Sequence, residues 1–308
     1  MKKILTILFL CTLQICVLAQ QKQYQTKYVI VLVIDGPRYS ETWGDSTHQY
    51  IPNMAQMAKQ GVISDNFYND KFTYTSSGHT AISTGFYQEL DNTTGKELPR
   101  YPSFLQIYLK QTGLDSTKAC LITSKDKLAI LSNTRDPDWY NQYKPQQNCG
   151  VAGQGSGYRD DSFTFLHVIN TLDKTKPHIL FVNFREPDFS GHKKDWTGYL
   201  KGIKDTDFWV KRIFDYIQSD PFYKGKTALF VTNDHGRHLD GLKEGFCEHG
   251  DSCIGCQHIN LFAYGPDFKK NYISSAYGNQ TDLTSTIAEL LHLKMPHGQG
   301  KVIKDLFK

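Results

Sequence analysis

Tyr28-Val-Ile-Val-Leu-Val-Ile34 carries no polar residue between its aromatic start and Asp35. A strand without alternation has no face to offer water, so both of its faces must be covered, as in the middle of a parallel sheet. Two later runs have the same character, His178-Ile-Leu-Phe-Val-Asn183 and Thr227-Ala-Leu-Phe-Val-Thr232. Shorter strands are expected at 62–67, 119–123 and 259–264. Helical patterns fall between them, at 51–61, 102–113, 162–172, 205–218 and 281–291, the last capped by Thr281 or Asp282. Residues 133–159 are rich in Asp, Pro, Tyr, Gln and Gly without a period, and are expected to form a long surface loop. Alternating strands and helices predict an α/β fold with a mostly parallel central sheet and helices on both faces.

The N-terminus bears on where such a chain works. Met1-Lys2-Lys3, the apolar run from Ile4 to Leu10, and Val17-Leu-Ala19 have the basic start, apolar middle and small residue of a secretory signal cleaved near Ala19. A membrane anchor is the alternative, but the run falls short of ~20 apolar residues and is broken by Thr12 and Gln14. No later stretch could span a membrane. The expectation is an exported protein, periplasmic or extracellular, with residues 20–308 as one domain. The net charge is +4, two of those charges are Lys2 and Lys3, and no basic stripe follows. That excludes a nucleic-acid-binding patch. Of seven cysteines, Cys11 and Cys16 leave with the signal. In an oxidising compartment the cluster Cys247, Cys253 and Cys256 is expected to hold a disulfide rather than a metal, since Cys-x-x-Cys occurs once. The odd number leaves one thiol free.

Each buried run ends in groups able to bind a cation. The first ends at Asp35-Gly36. The second leads into Glu186-Pro-Asp188-Phe-Ser-Gly-His192, and the third ends at Asn233-Asp234-His235-Gly236. Each has a bland reading: a turn aspartate, a solvated loop, and an N-cap with a surface histidine. Ligands in open α/β sheets bind beyond the carboxyl ends of the strands, so the sheet would gather all of these groups into one crevice. Several acids held together need a cation, and carboxylate with imidazole suits zinc. Thr73-Tyr-Thr75-Ser-Ser-Gly-His79 adds hydroxyls at a helix start. Such a hydroxyl is either a cap or a nucleophile served by the free N–H groups there.

In combination these motifs resemble the alkaline phosphatase superfamily, and within it the type I phosphodiesterase/nucleotide pyrophosphatase branch. The resemblance rests on Val33-Ile-Asp35-Gly, Thr75-x-x-x-His79 with Thr84-Gly85, Glu186-Pro-Asp188-x-x-Gly-His192, Asn233-Asp234-His235-Gly, and His249-Gly before Phe262-Ala-Tyr-Gly-Pro266. It implies two divalent ions, zinc foremost. Asp35, Asp234 and His235 would hold one near Thr75; Asp188, His192 and His249 would hold the other. It further implies Thr75 as nucleophile, with Ser76 and Ser77 as rivals, and His79 as a structural residue. His258 is a rival to His249, or a packed histidine. Asn92 is either a donor to a phosphate oxygen or part of a plain turn. Arg185 and Arg237 either bind a monoester's extra charge or lie on the surface. No Cys-x-Pro-x-Arg occurs at the nucleophile, against formylglycine-dependent sulfatase chemistry. The implied function is a secreted phosphodiesterase or phosphatase acting on a small phosphate ester through a covalent phospho-enzyme. The alternatives are a phosphonate or sulfate-ester hydrolase, and a non-catalytic binding protein.

Overall fold

A computed structural model describes residues 23–308; the expected signal, residues 1–19, lies outside them. In chain order the elements are β1 (Tyr28–Asp35), α1 (Pro52–Ala58), β2 (Val62–Tyr68), α2 (Thr75–Thr84), α3 (Phe104–Thr112), β3 (Ala119–Thr123), β4 (Gln146–Cys149), α4 (Asp161–Lys174), β5 (Ile179–Pro187), α5 (Asp188–His192), α6 (Trp196–Ser219), β6 (Thr227–Asn233), α7 (Ile254–Gln257), β7 (His258–Tyr264), β8 (Tyr272–Ser274), β9 (Gly278–Asn279) and α8 (Gln280–Leu290). No helix among the described residues is long and apolar enough to cross a membrane.

The strands form one sheet in the order β4-β3-β5-β1-β6-β7-β2-β8, with β9 also on β2. From β4 to β6 every pairing is parallel. β7 runs antiparallel to both of its neighbours. β1 lies inside the parallel part, between β5 and β6, and its unbroken apolar run suits a strand covered on both faces. Val29, Val31 and Val33 enter one core, with Leu105 of α3 and Leu283 and Ile287 of α8. Ile30, Leu32 and Ile34 enter the other, with Met54 of α1, Val168 of α4 and Ile213 of α6. Each side chain so buried contributes about 1.5–3 kcal/mol, and the alternating Cβ directions of a strand divide the residues between the two faces.

Register sets the site. Ile34 pairs with Phe184 on one side and Asn233 on the other, and Asp35 pairs with Pro187. The residues that follow, Asp188 and Asp234, therefore emerge level with Asp35 at the same sheet edge.

Three sequence expectations change. Within the expected 133–159 loop, Gln146–Cys149 forms the edge strand β4. Its side chains are mostly exposed and polar, so it has no hydrophobic signal; the open edge of β3 recruits it through backbone pairing. The helix expected from 205 begins at Trp196, where Asp195 accepts a 2.9 Å hydrogen bond from Gly198 N, and Tyr199 and Ile203 extend its buried face. The last helix is capped by Asn279, not by Thr281 or Asp282. Asp282 is the reciprocal partner in that capping box, accepting from Asn279 N at 3.1 Å.

The hydroxyl-rich helix α2 lies against the end of β6, and Gly78 permits the approach. A Cβ at Gly78 would stand 2.4 Å from Asp234 O. In an open helix, glycine to alanine stabilises by about 1 kcal/mol. Here Gly78→Ala should instead destabilise by roughly 1–3 kcal/mol, because backbone must move to admit the methyl. A urea midpoint that fell would show this; a midpoint that held or rose would mean that α2 does not depend on the contact.

Candidate active site

Thr75 opens α2, but it is not the cap. Tyr74 holds the cap position and makes no side-chain cap bond. The Thr75 hydroxyl is thus not spent on its own helix. It is buried, with Oγ1 3.2 Å from Lys125 Nζ and 3.5 Å from His235 Nε2. Of its rivals, Ser77 Oγ accepts from Leu90 N at 3.0 Å, and Ser76 Oγ is buried without a partner.

Asp35, Asp188 and Asp234 are all buried beside this hydroxyl. Lys125 bridges two of them: its ammonium donates to Asp35 Oδ1 at 2.8 Å and to Asp188 Oδ2 at 2.6 Å. Asn183 Nδ2 donates to Asp35 Oδ2 at 3.0 Å. Arg237 Nη1 donates to Asp188 Oδ1, and Nη2 to Cys247 O at 2.6 Å. Asp234 Oδ1 accepts from Gly36 N at 3.2 Å, while Oδ2 is buried with no hydrogen-bond partner. Three carboxylates therefore face two cationic side chains. Burial, and then Asp234, push the Asp35 carboxyl up to about 7, against the pull of Lys125. Burial also opposes the ionisation of Asp188, but Lys125 and Arg237 outweigh it and hold that carboxyl well below its usual range.

The histidines have defined tautomers. His235 Nδ1 donates to Gly236 O at 2.9 Å and His249 Nδ1 to Thr73 O at 2.7 Å. Their Nε2 lone pairs are left facing the carboxylates, and the two rings stack with centroids 3.7 Å apart. Burial holds His235 down to about 4 and His249 well below its normal value, so both are neutral near pH 7. Lone pairs aimed at carboxylates, together with the orphaned Asp234 Oδ2, leave acceptors without donors. A divalent cation resolves that conflict, and an Nδ1–H bound to a carbonyl is the usual way of orienting a ligating imidazole. Ligand atoms of Asp35, Asp234 and His235 lie within 4.8 Å of one another, as do those of Asp188, His235 and His249. The residues fit a metal centre.

The second grouping differs from the expected one. His235 joins it, while His192 stands at the rim, its side chain 43% exposed, with Nε2 3.3 Å from Asp188 Oδ1 and 3.1 Å from His249 Nε2. His79 is committed on both nitrogens: Nδ1 to Thr75 O at 2.8 Å and Nε2 to Asn183 Nδ2 at 3.0 Å. His258 is elsewhere, stacked 3.8 Å from Tyr39 and 4.8 Å from Tyr68. Arg237 is not a surface residue; it is fully buried under Asp188. Arg185 pairs with Asp160 at 3.3 Å and covers the Phe189 ring.

Asn92 lies at the start of α2. Its Oδ1 accepts from Ser76 N and from Lys127 Nζ, both at 3.0 Å, which leaves Nδ2 as the group to donate. Lys125 and Lys127 were not singled out in the sequence. Both follow β3, and the strand-end rule that points to Asp35 points to them as well. Burial, and then Lys125, push Lys127 down to about 8. The expected disulfide is also absent, since Cys120, Cys149, Cys247, Cys253 and Cys256 are all free thiols.

Among solved structures, murine ectonucleotide pyrophosphatase/phosphodiesterase 5 superposes with a TM-score of 0.67 at 16% identity, covering 91% of this chain and 100% of that one. The phosphonate monoester hydrolase of Silicibacter pomeroyi gives 0.66 at 14% identity, covering 91% and 76%. Both share the alkaline-phosphatase-like fold, with its mostly parallel central sheet. Among curated proteins, the phosphopentomutase of Caldanaerobacter subterraneus is 26% identical over 162 residues, 50% of this chain and 37% of that protein. The match thus spans little more than a third of that relative's length. The Sulfatase family model matches residues 27–293, and the chain belongs to that family, within the alkaline phosphatase superfamily.

Proposed function

We propose that the protein is a metal-dependent hydrolase of phosphate esters that uses Thr75 as its nucleophile. The observation that carries this reading is the setting of the Thr75 hydroxyl. It is free of any capping role, contacts Lys125, and faces the carboxylate and imidazole donors at the ends of β1, β5 and β6. The family name does not decide between sulfate and phosphate. The chain lacks Cys-x-Pro-x-Arg at this helix start and has threonine there. The murine relative has also been studied as an inactive threonine-to-alanine variant with AMP bound, in keeping with threonine chemistry.

Asp35, Asp234 and His235 would hold one divalent cation, and Asp188 and His249 a second, with His192 at its edge; zinc suits the nitrogen and oxygen donors. Cations there supply Lewis acidity, which lowers the pKa of a hydroxyl and neutralises phosphoryl charge. The chain's own groups do the rest. Lys125 donates to Thr75 Oγ1 and stabilises it as the alkoxide. Oγ1 attacks phosphorus, the alcohol leaves, and water then hydrolyses the phospho-threonine. Asn92 Nδ2 and Lys127 hold the non-bridging oxygens. Arg237 is committed to Asp188 and to two backbone carbonyls, so it serves the site by fixing Asp188 rather than by touching substrate.

The lysine pair favours a doubly charged substrate, a phosphate monoester, over a singly charged diester. The zinc-loaded enzyme should turn over p-nitrophenyl phosphate faster than bis-p-nitrophenyl phosphate. Thr75→Ala should reduce turnover to background while retaining metal; full activity in Thr75→Ala would remove the nucleophile assignment. Lys127→Met should raise KM for the monoester about 10- to 100-fold, the span of a charged hydrogen bond worth ~1.5–3 kcal/mol.

Lys127 also gives a pH signature. It is charged below about 8 and neutral above. Monoester KM should therefore rise as pH passes 8 in the wild type, and should lack that limb in Lys127→Met. An identical limb in both proteins would assign the titration to another group.

A further inference from the structure

The connection between β6 and β7 holds a second cluster of ligating side chains, separate from the carboxylates around Thr75. Ligand atoms of His238, Asp251, Cys253 and Cys256 all lie within 4.8 Å of one another. Two glycines bring them together. A Cβ on Gly236 would stand 2.0 Å from Gly255 O, and one on Gly255 would stand 2.4 Å from Arg237 O. Backbone thus packs on backbone, and Gly236 N donates to Cys256 O at 2.8 Å. His238 arrives beside the Cys253-Ile-Gly-Cys256 turn as a result. Asp251 is set by its own bond, with Oδ1 accepting from Cys253 N at 2.9 Å.

The cluster has unmet demand. The His238 side chain is 4% exposed, and neither ring nitrogen has a hydrogen-bond partner, although Nε2 stands 3.2 Å from Asp251 Oδ2. An imidazole carries at least one N–H, and leaving a buried polar group unmatched costs about 1–3 kcal/mol. Both cysteines are free thiols. The nearest outside competitor is Lys243, which is 61% exposed and pairs with Asp251 Oδ2. A flexible surface lysine can yield one carboxylate oxygen to an ion.

We propose that His238, Asp251, Cys253 and Cys256 bind a zinc ion in a closed tetrahedral site, distinct from the donors around Thr75. Two thiolates, one imidazole and one carboxylate match the donor preference and coordination number of structural zinc. Bonds of about 2.0–2.3 Å in a tetrahedron set neighbouring ligand atoms about 3.3–3.8 Å apart, so the cluster needs only a small contraction. The ion would clamp the two ends of the 238–256 excursion. Between them lies His249, two residues from Asp251, and both are anchored on Thr73: His249 Nδ1 to Thr73 O, and Thr73 Oγ1 to Asp251 O at 2.7 Å. The zinc is therefore a positioning element for His249.

Cobalt substitution of the full mature chain tests this with a readout that the Thr75 site cannot produce. Donors around Thr75 are nitrogen and oxygen only, whereas thiolate ligands give cobalt an intense near-ultraviolet charge-transfer band. That band should appear in the wild type, persist in Asp35→Asn/Asp234→Asn, and vanish in Cys253→Ser/Cys256→Ser. Zinc content should fall by about one equivalent in the cysteine variant, and should be retained in Cys253→His, which keeps a ligand. No band in cobalt-loaded wild type with its thiols reduced would overturn the proposal, with no variant needed to fold. So would recovery of Cys253 and Cys256 as a disulfide from protein purified with zinc present.

Discussion

Three buried carboxylates stand side by side at the ends of β5, β1 and β6, and the rest of the site answers their repulsion. Parallel strands in register deliver Asp35, Asp188 and Asp234 to one level of one sheet edge. Unscreened, such a row would not stay ionised in a dry interior. Lys125 and Arg237 reach it from opposite sides, one from the end of β3 and one from beyond β6, and each is buried to do so. Arg237 is tied to backbone carbonyls as well as to Asp188, so it works as a fixed brace. Lys125 touches two carboxylates and the nucleophile candidate through a single flexible ammonium, so the charge it brings is shared among them.

Neutral imidazoles complete this arrangement. Backbone carbonyls hold the Nδ1 protons of His235 and His249, and burial keeps both rings uncharged. The lone pairs point inward only because the protons are held outward. Asn183 has a similar part: it donates to Asp35 and to His79, and His79 in turn donates to Thr75 O, so one amide couples a carboxylate to the backbone of α2.

The parts of this site that the sequence revealed are those tied to buried strands. β1, β5 and β6 are covered on both faces, so their apolar runs are long and unmistakable, and the acids that close them stand out. Thr75 was legible as a helix-start hydroxyl, though its freedom from capping depends on Tyr74 taking the cap. Lys125 was not, because a lysine after a five-residue strand reads as solvated until the sheet order shows β3 beside β5. For Arg237 the sequence offered a substrate contact or a surface position, because nothing local says that Asp188 will lie above it. β4 left no trace because its residues are mostly polar and exposed, and backbone pairing recruits them. His238 and the two cysteines lie on one connection with no regular spacing to link them, and they meet because two glycines let backbone touch backbone.

The antiparallel setting of β7 has a consequence for how such a scaffold can vary. Because β7 returns beside β6, the excursion between them leaves and re-enters the sheet at the same edge, and Gly236 and Cys256 are hydrogen-bonded at its neck. Lengthening a loop whose ends already meet costs only a logarithmic entropy term, about 0.6 kcal/mol for each doubling. The parallel crossovers that place Asp188 and Asp234 have no such latitude, since each must span a helix and return in register beside β1. Insertions in this excursion could therefore reshape one wall of the site at small thermodynamic cost, while the carboxylate row stays where the central strands hold it.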